Sequence, residues 1–313
     1  MKCFLTEFLV CPNCLPHEVS LHLSAARAHG DDIQTGSFSC SRCSCRYPVS
    51  DGIADLTAPS AAASARIASR YESAETVSSY LWSHFADLAG DADATTAYSQ
   101  WAALLPPADG IALDAGCATG RLAFELTAKY DFVIGVDLSR TFVRNALELS
   151  RNRRLSFSVP VEGELRRELT FEFPSAWIPE KVDFIVADVQ CLPFRRNTFS
   201  HCASLNIVDK VPRPLAHLVE LNRVTREDHA RILFSDPFSW SYEVSKADDW
   251  LGGVEEGPFA GYGIDNVAWL LEGKRGIVHP PWTIEERGSV WWKIRAHANR
   301  FELIRSQYIE AFR

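Results

Sequence analysis

Two short thiol pairs stand near the start of the chain, Cys11-Pro-Asn-Cys14 and Cys40-Ser-Arg-Cys43, with 25 residues between them. A turn closed by Cys-x-x-Cys brings two thiolates to one side of a tight loop. Two such loops supply the four soft ligands of a tetrahedral zinc site. With Cys11, Cys14, Cys40 and Cys43 all bound, no position is left for water, so the expected zinc is structural. Cys45 competes with Cys43 on spacing alone, and Cys3 is not expected to bind. A segment this short has little core of its own, so metal binding is expected to contribute folding free energy directly. Cys117, Cys191 and Cys202 lie in apolar surroundings and read as small hydrophobes.

A second constellation begins with the apolar run Ile111-Ala-Leu and continues Asp114-Ala-Gly116-Cys-Ala118-Thr-Gly120 into an amphipathic stretch. This is a strand–turn–helix pattern. Small residues let the backbone approach a ligand closely, and the following helix points amide N–H groups at it. Phe132-Val-Ile-Gly-Val-Asp137 then forms a second strand ending in an acid, 17 residues after Gly120. An acid at that strand tip accepts hydrogen bonds from ribose hydroxyls. The small residues recur at every second position rather than as Gly-x-Gly-x-x-Gly, which disfavours a nicotinamide dinucleotide.

The elements that must position these groups follow from patterning. Residues 58–70 are rich in Ala and Ser and read as a linker or an exposed helix start. From Tyr71 to Leu105 bulky residues recur at helical spacing, which predicts two helices covering a sheet edge or forming a lid. Arg140 to Arg167 carries seven arginines interleaved with glutamates and reads as a solvated face. Apolar runs at 182–189, 203–209 and 231–237 predict further strands. The chain has 313 residues, 47% hydrophobic and 23% charged, with a formal net charge of −8. That balance belongs to a globular protein, and it provides no global positive field for a polyanion. No apolar run of about 18 residues or more is present, and the N-terminus makes a poor signal peptide, so a cytoplasmic protein without a membrane span is expected.

Specific resemblances lie on these residues. Phe8-Leu-Val-Cys11 through Tyr47-Pro-Val-Ser-Asp-Gly52-Ile53 resembles the Trm112-like zinc-ribbon family, whose members serve as activators or accessory modules of methyltransferases. Asp114-x-Gly116-x-Ala118-x-Gly120 resembles motif I of class I S-adenosylmethionine (SAM)-dependent methyltransferases, with Ala118 where glycine is commoner. Val182 to Val189, Leu192-Pro-Phe194, Asn206-Ile-Val-Asp209 and Arg231 to Pro237 resemble that family's later strands. The resemblance implies an α/β, Rossmann-like fold with a central, mostly parallel seven-stranded sheet. The expected division is a zinc ribbon at 1–57, a linker and helical cover at 58–105, and the methyltransferase domain at 106–313.

Trp250-Leu-Gly-Gly253 and Ile294-Arg-Ala-His297-Ala-Asn-Arg-Phe301 are similar to the C-terminal methyltransferase domain of ovothiol synthases, as are the Asp114 turn and Asn206-Ile-Val-Asp209. That likeness implies methylation of the imidazole ring of a mercaptohistidine, although the ribbon stands in place of that family's sulfur-insertion domain. Across both resemblances, Asp114, Gly116 and Gly120 are expected at the methionine end of SAM, Asp137 at the ribose, and Asp188 with Val189 at the adenine, with Ala118 and Leu138 also among the cofactor-binding residues. Asn206 is expected to face the transferred methyl. Trp240, Tyr242 and His297 are the substrate-side candidates. Two alternatives stay open: an RNA-base methyltransferase with a ribbon that docks RNA, disfavoured by net charge, and a catalytically inactive SAM-binding scaffold. The acceptor and the oligomeric state are not specified by the sequence.

Overall fold

A computed structural model describes residues 1–313, apart from the side chain of Ala25. The N-terminal module is a four-stranded antiparallel sheet in sequence order: β1 (Leu21–His29), β2 (Asp32–Cys40), β3 (Arg46–Ser50) and β4 (Ile53–Ala54). Its thiol-bearing turns lie at Pro12–Cys14 and just after β2.

Three helices follow: α1 (Ala62–Ala68), α2 (Ala74–Phe85) and α3 (Ala97–Leu104). The two helices expected between 71 and 105 are α2 and α3. The stretch expected as a linker is instead largely helical, and Ser64, Ile67 and Ala68 are buried. Alanine has the highest helix propensity, and its small side chain lets this short helix lie close against its neighbours. Helix α2 is capped by Ser73, whose Oγ accepts from Thr76 N at 3.2 Å. It buries Val77, Leu81, Trp82 and Phe85 on one face.

The central sheet has seven strands. In chain order they are β5 (Ile111–Ala115), β6 (Phe132–Asp137), β9 (Val182–Val186), β10 (His201–Leu205), β11 (Arg231–Asp236), β12 (Thr283–His297) and β13 (Arg300–Phe312). In space the order is β12-β13-β11-β10-β5-β6-β9. The five from β5 to β11 are parallel, β13 runs antiparallel to β11, and β12 antiparallel to β13. Strands β9 and β10 are buried along their whole length, as expected of parallel strands covered on both faces. The connecting helices are α4 (Arg121–Leu126), α5 (Arg140–Asn152), α6 (Pro214–Val224) and α7 (Gly263–Leu271).

Between α5 and β9 the arginine-rich stretch is not one solvated helix face. It leaves α5 at Arg153, in the left-handed region at φ 54°, and forms a hairpin of β7 (Arg154–Glu162) and β8 (Leu165–Glu172). Phe157, Val159, Leu169 and Phe171 are buried on one side of the hairpin, while Arg166, Arg167, Glu168 and Glu172 stay exposed.

The N-terminal module is not a separate bead. Asp55 forms a parallel bridge with Val186 on the edge strand β9, and Leu56 N donates to Val186 O at 2.8 Å. Val10 N donates to Pro193 O and Arg195 N to Phe8 O, each at 2.9 Å. Leu5, Leu9, Phe38 and Leu56 are fully buried in one apolar cluster with Leu192, Phe194 and Phe199. A fully buried side chain of this size contributes roughly 1.5–3 kcal/mol. The module therefore rests on a shared core as well as on any metal it binds.

Candidate functional site

The four thiols of the module converge. Cys11, Cys14, Cys40 and Cys43 place their sulfurs within 4.8 Å of one another. Cys11 and Cys43 Sγ are 3.6 Å apart, and Cys14 and Cys40 Sγ 3.7 Å. Four sulfurs bound tetrahedrally at about 2.3 Å from one ion sit roughly 3.8 Å from each other, whereas a disulfide needs about 2.05 Å. The spacing fits a metal and not a disulfide. Cys43 belongs to the set and Cys45 does not. Three of the four thiols are buried, and the Tyr47 hydroxyl lies 3.2 Å from Cys11 Sγ. No fifth His, Cys, Asp or Glu joins the set among the described residues, so the donors suit a closed structural site.

The second site lies at the carboxyl ends of β5, β6, β9 and β10. There the chain departs to opposite sides of β5, and α/β sheets open a crevice at such a point. A cavity of about 900 Å³, counting space open to solvent, is lined there by Asp114, Gly116, Ala118, Asp137, Leu138, Asp188, Val189 and Asn206. All eight were expected at the cofactor from sequence. Gly120 was expected with them but does not line the cavity. It is the N-cap of α4, at φ +88°, where an added Cβ would lie 2.8 Å from the Phe184 ring. Gly116, at φ +85°, is packed against Ile207, with Cδ1 2.1 Å from where a Cβ would stand.

Each acid is held by backbone amides. Asp114 Oδ2 accepts from Ala123 N at 3.0 Å, and burial pushes its carboxyl up to about 7, with the Asp137 charge adding to the rise. Asp137 accepts from Ser139 N at 2.8 Å and from Ala118 N at 2.9 Å. Desolvation lifts it to about 6 despite those bonds. Asp188 Oδ1 accepts from Gln190 N at 2.9 Å. Gln190 Nε2 reaches both Asp188 and Ser64 Oγ, so Gln190 ties α1 to the strand end. Asn206 is in the left-handed region, at φ 61°. Its Oδ1 accepts from Ser306 Oγ, and Ser306 Oγ accepts from Trp292 Nε1 at 2.9 Å.

The opposite wall comes from the helical cover, expected from sequence as a sheet-edge cover or a lid, and from the far sheet edge, which sequence reasoning did not assign to the site. Ile67, Ala68, Tyr71, Tyr80, His84 and Tyr98 close over the cavity, and Trp292 reaches it from β12. Their aromatic spacing along 71–105 was legible, and so was the possibility of a lid. Their convergence with Trp292, some 200 residues away, was not. Trp240, Tyr242 and His297 are not brought to this cavity. Asp236 accepts from Phe238 N at 2.7 Å and turns the chain away at the end of β11. Trp240 then stacks on Trp250 at 5.9 Å, and Tyr242 is 78% exposed. His297 sits at the β12–β13 turn, where its Nδ1 accepts from Asn299 N at 3.3 Å.

With this geometry, residues 113–230 match the family described as a methyltransferase domain. This is a methyltransferase. Residues 2–52 match the Trm112p-like protein family, so the methyltransferase carries a Trm112-like module at its N-terminus. No curated protein matches the chain. Solved structures that resemble the methyltransferase include a protein from echinomycin biosynthesis that converts a disulfide bond into a thioacetal group. It has 20% identity and a TM-score of 0.45, covering 70% of this chain and 80% of that one. Another is the Haemonchus contortus phosphoethanolamine N-methyltransferase 2, at 16% identity and TM-score 0.39, covering 54% of this chain and 34% of that one. A third comes from the complex of the Haloferax volcanii Trm112 methyltransferase activator with a protein assigned as a methyltransferase, at 13% identity and TM-score 0.39, covering 69% and 88%. All three are distant. Among the described residues, no helix is long and apolar enough to cross a membrane.

Proposed function

We propose that the protein transfers a methyl group from SAM to a nitrogen of a small heterocyclic acceptor, of the class of the imidazole ring of a histidine-derived thiol. The observation that carries this reading is the make-up of the cavity. One wall presents the expected cofactor residues, and the other presents Tyr71, Tyr80, His84, Tyr98 and Trp292. Lys210 is the one lining residue with a permanent positive charge, and its Nζ already pairs with Asp209 Oδ2 at 2.8 Å. A small ring fits between aromatic faces, whereas a polynucleotide needs an open, basic track. The likeness of Trp250-Leu-Gly-Gly253 and the 294–301 segment to ovothiol-synthase methyltransferase domains supports the imidazole class.

When bound, SAM supplies an electrophilic methyl on a sulfonium. In this assignment Asp114, Gly116 and Ala118 face the methionine end. Asp137 accepts the ribose hydroxyls beside Leu138, and Asp188 with Val189 flanks the adenine. Gly120 acts from behind by setting the start of α4. Asn206 faces the transferred methyl, with its carbonyl fixed by Ser306 and its NH2 free to orient the acceptor. An acceptor nitrogen held there would take the methyl as the S–C bond broke, and the ring would pass its N–H proton to solvent at the open side of the cavity. Such a displacement needs alignment and exclusion of water more than a base, and the helical cover over the strand ends serves both. The four thiolates hold a structural zinc, and the 58–105 segment forms the cover of the site.

The test is transfer of labelled methyl from SAM to mercaptohistidine, with total RNA as the comparison. Label in the small molecule supports the reading, and label in RNA alone overturns it.

A further inference from the structure

Among the residues over the cavity, His84 has a feature that the assigned roles do not use. It is 2% exposed, lines the cavity, and its Nδ1 finds no hydrogen-bond partner in the protein. A buried ring nitrogen without a partner is costly, and such groups concentrate where a ligand completes them. The other nitrogen, Nε2, lies 2.6 Å from the Tyr98 hydroxyl. Nε2 is the one hydrogen-bond partner of the Tyr98 hydroxyl among the described residues, so the O–H is directed to Nε2. Burial, with the Asp114 charge adding to it, also keeps that phenol protonated. Nε2 is then an acceptor, and the proton of the neutral ring sits on Nδ1. Burial, and next the nearby Arg121 guanidinium, hold the imidazole well below its ordinary range. It is therefore a poor base and a fixed donor.

We infer that His84, oriented by Tyr98, is the positioning residue of the acceptor subsite and donates Nδ1–H to a lone-pair atom beside the nucleophilic nitrogen of a neutral, planar heterocycle. A ring thione or carbonyl has such an atom. A phosphate-bearing acceptor is disfavoured because the one lining ammonium, Lys210, is already paired. The inference rests on the methyltransferase reading and names what that site recognises.

The test uses full-length zinc-loaded protein saturated with S-adenosylhomocysteine, with 4-mercaptoimidazole and phosphoethanolamine as probes. Nitrogen-15 NMR of labelled histidines should show His84 in the Nδ1–H form throughout pH 6–8, and Tyr98→Phe should release that tautomer. 4-Mercaptoimidazole should shift the Nδ1–H signal and bind about tenfold more weakly to His84→Phe, the loss expected for one buried hydrogen bond. His84→Gln, which keeps a donor, should recover most of that loss, as a merely structural ring would not allow. An Nε2–H tautomer in the wild type overturns the inference even if the variants fail to fold. So does unchanged probe binding in His84→Phe, no 4-mercaptoimidazole binding to the wild type, or tighter binding of phosphoethanolamine. Failure of the wild type to bind S-adenosylhomocysteine instead overturns the methyltransferase reading, and the tautomer of the free protein still reports on His84.

Discussion

Replacing Asp137 by Asn keeps the shape of the side chain and removes its charge. In the folded protein the carboxylate takes one backbone N–H on each oxygen, Ser139 N at 2.8 Å and Ala118 N at 2.9 Å. An Asn can serve one of these amides and must turn its NH2 toward the other. The ribose hydroxyls also lose a charged acceptor. A hydrogen bond to a charged group contributes about 1.5–3 kcal/mol, so SAM affinity should fall roughly tenfold to a hundredfold. The pH dependence is a second readout. The hydroxyls bind the ionised carboxylate, and Asp137 sits at about 6 in the free protein, so wild-type affinity should be full above that value and decline as pH falls through it. Asp137→Asn should lose this decline, and Asp114, relieved of the Asp137 charge, should titrate below its wild-type value. Calorimetric titration with SAM from pH 5 to 8 measures both. Affinity within about twofold of wild type, or a wild-type profile flat through 6, would refute the placement of Asp137 at the ribose.

Asp114, held at about 7 when folded against an ordinary 3.8, favours the folded state at acid pH and loses that contribution as pH rises to 7. Asp114→Asn should therefore gain stability over wild type, by an order of a few kcal/mol, between pH 5 and 8 in urea titrations, while weakening SAM binding. Cys43→Ser should lose zinc by elemental analysis and melt at lower temperature, whereas Cys45→Ser should keep its zinc. Leu9→Ala empties a fully buried position under Phe194 and should cost about 2–5 kcal/mol, with the N-terminal module and the central sheet melting together in calorimetry. Tyr242→Ala and His297→Ala lie off the cavity and should leave SAM affinity within about twofold.

Much of the site was legible because its parts are local in sequence. The Asp114–Gly120 turn, the acid at Asp137 and the pair Asp188-Val189 each sit at the end of an apolar run, where a parallel sheet must leave its ligand-facing groups. The thiol pairs were legible for the same reason. Choosing Cys43 over Cys45 needed three dimensions, since both lie within reach of the same turn. The hairpin β7–β8 was hidden because its exposed face is charged and its buried residues are few. Helix α1 was hidden because Ala and Ser mark both linkers and closely packed helices. The helical spacing that includes Tyr98 was legible, but nothing local marked the meeting of His84, Tyr98 and Trp292. They meet because α2, which carries His84, and α3, which carries Tyr98, both pack against β12, about 200 residues away in the chain.

The most direct test of the account is calorimetric titration of the zinc-loaded protein with SAM, and separately with NAD. The account predicts micromolar SAM binding with no detectable NAD binding, weakened in Asp137→Asn. Absence of SAM binding to folded, zinc-loaded protein would contradict it.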